Sequence, residues 1–108
     1  MSGISTHVLD AVAGTPAVGI RVALFHPVDG QIATAATDAD GRVPELVPGP
    51  VATGTYRLSF DTGSYFDVHG TATFYPEVSI SFAVTDPDAH YHVPLLLSPF
   101  AYSTYRGS

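Results

Sequence analysis

Thr55-Tyr56-Arg57-Leu58-Ser59-Phe60-Asp61 changes character at every step. Tyr56, Leu58 and Phe60 are large and apolar, while Thr55, Arg57 and Ser59 between them are polar. Only an extended chain sends two such sets to opposite sides, so this stretch reads as a strand with one face in a core. Val78-Ser79-Ile80-Ser81-Phe82-Ala83-Val84 repeats the period of two. Working outward, Ser5–Asp10, Ile20–Phe25 and Gln31–Ala36 read as further strands. Turn signals separate them at Gly14-Thr15-Pro16, Asp29-Gly30 and Asp38-Ala39-Asp40-Gly41. No long window keeps a helical period, and nine prolines and ten glycines punctuate the chain. One short helix is expected over Gly63–Gly70, with Ser64 as its N-cap and Gly70 as its stop. The pattern is that of an all-β sandwich or barrel. With no linker, repeat or low-complexity segment, residues 1–108 are expected to form one domain.

Composition narrows the chemistry. The formal charge of −6 argues against nucleic acid or an anionic membrane as a partner. All four cationic side chains are arginine (Arg21, Arg42, Arg57 and Arg106), so a lysine Schiff base or lysine general base is excluded. Cysteine is absent, which removes thiol nucleophiles, disulfides and thiolate metal sites. No apolar run approaches the roughly 20 residues of a membrane span. The opening MSGISTHVLD lacks the basic and apolar regions of a secretory leader, so a cytoplasmic location is expected. At 108 residues a single core is thin, and oligomerisation is a natural source of further buried surface.

Several residues carry possible chemistry. His7 lies mid-strand on the face of Ser5 and Leu9, where a histidine is ordinarily a half-buried surface residue. His90 and His92 are two apart and leave one face of a strand; two ligands are too few for zinc without a third group. Asp38–Gly41 lacks the ligand spacing of a calcium loop and reads as a turn. Arg42 follows it directly. Its planar fork is either half of a surface ion pair or a grip for an oxygen-rich ligand and a developing oxyanion. The end of the chain, HYHVPLLLSPFAYSTYRGS from His90 to Ser108, reads as a hairpin turning at Pro99-Phe100. A two-residue turn there pairs Ser98 with Ala101 and His92 with Gly107. It puts Tyr105 on the His92 face and sends Arg106 and Ser108 to the other, unless the end bends or bulges. The terminal residue is expected to bend toward His92.

Together, ISTHVLDAVAGTPAVGIRVALF, TDADGRVPELVP, FDTGSYFDVHGTATFYPEVSISF and HYHVPLLLSPFAYSTYRGS resemble the 5-hydroxyisourate hydrolase family, also called the transthyretin-related proteins. The terminal YRGS is the most specific motif, because transthyretin itself, a hormone carrier on the same fold, lacks it. The resemblance implies a two-sheet transthyretin-like (prealbumin-like) β-sandwich with one short helix, assembled as a homotetramer. It implies hydrolysis of 5-hydroxyisourate, the unstable product of urate oxidation, to 2-oxo-4-hydroxy-4-carboxy-5-ureidoimidazoline on the route to allantoin. It implies no metal and no organic cofactor.

The family's functional positions fall on His7, Arg42, His92 and the tetrapeptide Tyr105–Ser108; His90 has no role in that pattern. A neutral histidine suits the activation of water near pH 7. Arg42 would stabilise charge at the attacked carbonyl, Ser108 would orient water or relay a proton, and Tyr105 would wall the substrate. Whether His7 or His92 is the base stays open, as does whether the last residues serve their own subunit or a neighbour. The alternative is a non-enzymatic carrier of a small aromatic ligand, which has little use for His7, Arg42 and Tyr105. A bare structural module leaves the polar terminus unexplained.

Overall fold

The computed structural model describes residues 2–108. Its elements are β1 (Gly3–Asp10), β2 (Thr15–Pro16), β3 (Arg21–His26), β4 (Gly30–Ala36), β5 (Arg42–Val47), β6 (Gly54–Phe60), α1 (Thr62–Val68), β7 (Val78–Val84), β8 (His90–Ser98) and β9 (Ala101–Thr104). One sheet runs β4-β3-β6-β7, all antiparallel. The other runs β2-β1-β8-β9, with β5 also pairing β1. The two pack as the expected all-β sandwich, with one short helix beside them.

The core lies between the sheets. Tyr56, Leu58 and Phe60 of β6 are buried, as the alternation requires, with Val22 and Leu24 beside them. From the other sheet come Ile4, Val8, Leu95 and Leu97. The Tyr56 hydroxyl donates to the Ala52 carbonyl at 2.8 Å, so the phenol enters the core without an unpaired polar atom.

Three departures from the sequence reading have local causes. The helix starts at Thr62 and its N-cap is Asp61, not Ser64. The carboxylate of Asp61 accepts from the Ser64 amide at 3.2 Å and the Ser64 hydroxyl at 2.8 Å, doing the work expected of the serine. Gly70 does stand at the stop, at φ +65° just beyond the C-cap His69. Secondly, β5 is an extra strand. Pro44 and Glu45 disguise it, and the chain tolerates them because β5 pairs only with β1, across a register shift between Ile4 and Thr6. Thirdly, Thr15–Pro16, read as part of a turn, forms a two-residue pairing with Leu9–Asp10.

The connection that matters most for the site is the parallel pairing of β1 with β8, from Gly3 opposite His90 to Asp10 opposite Leu97. The final hairpin has the counted register, with Ser98 opposite Ala101 and His92 bridged to Gly107. The helix is tied to β1 by the Tyr65 hydroxyl, which donates to Asp10 Oδ2 at 2.9 Å. Burial and that carboxylate push the Tyr65 phenol up to about 12. Among the described residues no helix is long and apolar enough to cross a membrane.

Candidate active site

Pairing places the candidate residues before any side-chain contact is considered. His7 stands opposite Arg42 across β1 and β5, and Ser5 stands opposite His92 across β1 and β8. Directly paired residues share a face, and alternation adds His90. The core takes Ile4, Val8, Tyr91, Val93 and Leu95, so Ser5, His7, Arg42, His90 and His92 belong to the outer face of this sheet.

Arg42 is held by the turn before it. The Asp38 carboxylate accepts from the amides of Asp40 and Arg42, both at 2.9 Å, as an aspartate does in a tight turn. Gly41 sits at φ +73°, and any Cβ there would collide with the Val8 carbonyl oxygen. Glycine is thus required both by conformation and by close approach. The Gly41 carbonyl accepts from the Val8 amide at 2.7 Å, pinning the turn to β1. His7 is pinned alongside. Its Nε2 lies 2.9 Å from the Asp40 carbonyl oxygen, which can only accept, so Nε2 carries the proton there.

His92 is half-buried and tightly framed. Its Nδ1 lies 2.8 Å from Ser5 Oγ, and its carbonyl accepts from the Gly107 amide at 2.8 Å. A Cβ added at Gly107 would stand 2.5 Å from His92 Cδ2, which explains a glycine at that position: the ring lies against bare backbone. Burial depresses the His92 pKa below its usual 6.5. The positive charges of Arg42, His7 and His90 act in the same direction, against the hydrogen bonding at Ser5. At neutral pH the ring is therefore uncharged and able to take a proton.

The end of the chain divides. Ser108 enters a cleft of about 200 Å³ that is also lined by Arg42, His92, Ser5, His90 and Thr6. Strand parity alone would send it to the core side, so the predicted bend at the terminus is present. Arg106 goes the other way, its guanidinium carbon 4.5 Å from the centroid of the Tyr91 ring. Tyr105 lines a separate groove with Tyr91, Val93, Phe82 and Arg106; His92 borders both spaces. The structure thus brings Arg42, His92 and Ser108 together. His7 adjoins them through its pairing with Arg42, and Tyr105 is set apart.

Ser5 was not singled out by the sequence and His90 was left without a role, yet both line the cleft, with Ser5 Oγ 2.7 Å from His90 Nε2. A larger concavity of about 450 Å³ lies beside the helix, bordered by Arg21, Asp61, Tyr65 and His69. Its carboxylate is already committed to the helix N-cap. Among the described residues no cluster of three or more His, Cys, Asp or Glu side chains has the arrangement of a metal site.

Residues 4–107 match the sequence model of the HIUase/Transthyretin family. The 5-hydroxyisourate hydrolase of Salmonella dublin is 46% identical, over 97% of this chain and 80% of that protein. Among solved structures, the Klebsiella pneumoniae 5-hydroxyisourate hydrolase superposes with a TM-score of 0.90 at 37% identity, covering 99% of this chain and 100% of the other. Sea bream transthyretin in complex with thyroxine superposes at 0.84 and 36% identity, covering 96% and 93%. The chain belongs to the HIUase/Transthyretin family.

Proposed function

We propose that this chain hydrolyses 5-hydroxyisourate to 2-oxo-4-hydroxy-4-carboxy-5-ureidoimidazoline in the degradation of urate, within one hydrolase domain of residues 1–108. The observation that carries the reading is the cleft in which Arg42, a neutral His92 and Ser108 meet. His92 takes a proton from water as the water oxygen adds to a ring amide carbonyl. Arg42 stabilises the oxyanion, a contribution of roughly 3 kcal/mol to the barrier by comparison with lost oxyanion donors. The carbon–nitrogen bond then breaks, and the departing nitrogen takes the proton back from His92. Ser108 orients the water, His7 binds substrate beside Arg42, and Tyr105 reaches the substrate from the neighbouring groove. Of the two candidate bases, His92 is favoured by its depressed pKa. His7 spends its Nε2 proton on the Asp40 carbonyl.

A homotetramer fits this reading. Strand β9 is an exposed edge, and Phe100, Tyr102 and Tyr105 near it are exposed aromatics that a second copy would cover. Light scattering tests it. Urate breakdown in the cytoplasm is the expected setting, and cell fractionation tests that.

The decisive assay is the decay of freshly generated 5-hydroxyisourate followed with and without protein. Acceleration in proportion to protein supports the proposal; an unchanged spontaneous rate sinks it. Equilibrium binding of a small aromatic ligand without turnover would instead favour the carrier, the state of the family's thyroxine-bound relative.

A further inference from the structure

We infer that His90, acting through the Ser5 hydroxyl, fixes His92 in the tautomer whose Nδ1 bears the proton and whose Nε2 is the proton acceptor.

The Ser2 carbonyl oxygen can only accept a hydrogen bond, and His90 Nδ1 lies 3.2 Å from it. Nδ1 of His90 is therefore the protonated nitrogen, and in the neutral ring Nε2 carries the lone pair. Ser5 Oγ stands 2.7 Å from that Nε2, so the hydroxyl donates its one hydrogen there. Toward His92 Nδ1, at 2.8 Å, the same oxygen can then only accept. His92 Nδ1 must donate, which leaves Nε2 as the basic nitrogen. The neutral histidine side chain in water prefers the opposite form, with the proton on Nε2. The chain from Ser2 to His92 thus overrides the intrinsic preference and keeps the outer nitrogen free.

A second consequence follows from the single hydroxyl hydrogen. Once His90 is protonated, its Nε2 becomes a donor to Ser5, and the hydroxyl turns its hydrogen toward His92 Nδ1. His92 is then driven to hold its own proton on Nε2. Protonating His90 silences His92 without His90 touching substrate. The other charges acting on His92 are Arg42 on β5 and His7 on β1, both cationic or able to become so.

That His92 is the base rests on the proposed hydrolase reading; the tautomer itself does not. The test uses the full chain with nitrogen-15 histidine, recording long-range proton–nitrogen correlations above pH 8. Wild-type His92 is expected to show a protonated Nδ1 and a lone pair on Nε2. Ser5→Ala and His90→Phe should each move it toward the Nε2–H form, while His90→Gln, which keeps an acceptor for the hydroxyl, should restore it. With 5-hydroxyisourate as substrate, the first two variants should lose roughly tenfold or more in kcat with KM little changed. A wild-type His92 protonated at Nε2 overturns the inference, whether or not the protein is a hydrolase. So does a tautomer indifferent to both substitutions. A tautomer that moves while kcat and its pH profile stay fixed removes the positioning role.

Discussion

On the outer face of β6 and β7, Arg57 lies 4.2 Å over the Phe25 ring and reaches Ser79 Oγ at 3.5 Å. The hydroxyls of Ser59 and Ser79 both donate to the Glu77 carboxylate. On the outer face of β1, β5 and β8 the same residue types recur as Arg42, Ser5 and Ser108, with His90 and His92 in place of the glutamate. In the first set Glu77 collects both serine hydroxyls, and Arg57 joins them through Ser79. The second has no Asp or Glu among the described residues that line its cleft. Among the described residues no ion pair engages its cation, and its histidine is kept uncharged. An arginine and serines on a strand surface mean little by type; what distinguishes the two faces is whether the serine hydroxyls meet a side-chain carboxylate or imidazoles.

That contrast can be broken most directly by exchanging arginine for alanine on each side. Arg42→Ala should lower kcat for 5-hydroxyisourate by roughly 10²–10³, the scale of a lost oxyanion donor. Arg57→Ala should leave steady-state kinetics where they were. Equal losses from both would end the distinction. Gly107→Ala is the next largest. The new methyl must displace the His92 ring, so calorimetry should show about 1–3 kcal/mol of destabilisation and kinetics a fall in kcat. No change in either would mean that the ring does not rest on that backbone.

Acidification sharpens the comparison further. Because the folded pKa of His92 lies below 6.5, the neutral ring persists through pH 7 and activity falls only as pH drops through the lowered value. The sign for stability is the same: the unfolded chain binds the proton more readily, so stability is present above about 6.5 and declines below it. An acid limb in kcat/KM lying above 6.5 would remove His92 from the base role. Glu77→Gln is the smallest perturbation. It should shift stability by about 1 kcal/mol or less and leave turnover untouched, and urea titration with kinetics checks both.

Much of the sandwich was legible because the signals were local. Tyr56, Leu58 and Phe60 announce one face of β6 within seven residues, and the length of the turn at Pro99-Phe100 sets the register all the way to Gly107. The resemblance then assigned His7, Arg42, His92 and Ser108. What escaped depends on distance along the chain. Ser5 bonds to His90 and His92 only because β1 lies parallel to β8, more than 80 positions away, and no short-range pattern encodes that pairing. The disguise of β5 came from Pro44, which an edge strand accepts and a central one does not. Asp61 took the cap from Ser64 because either side chain can fill that position, and composition does not choose between them.

The bare backbone of Gly107 against the His92 ring has a mechanical consequence. The last residues act as a splint for the imidazole: seated, they deny it room to swing, and peeled away, they leave it free to turn. With His92 as the proposed base, its alignment and the docking of Tyr105–Ser108 are then one event, and the order parameter of the His92 ring reports both. A protease that trims the final turn of chain, or a partner that captures it, would act on the chemistry without entering the cleft.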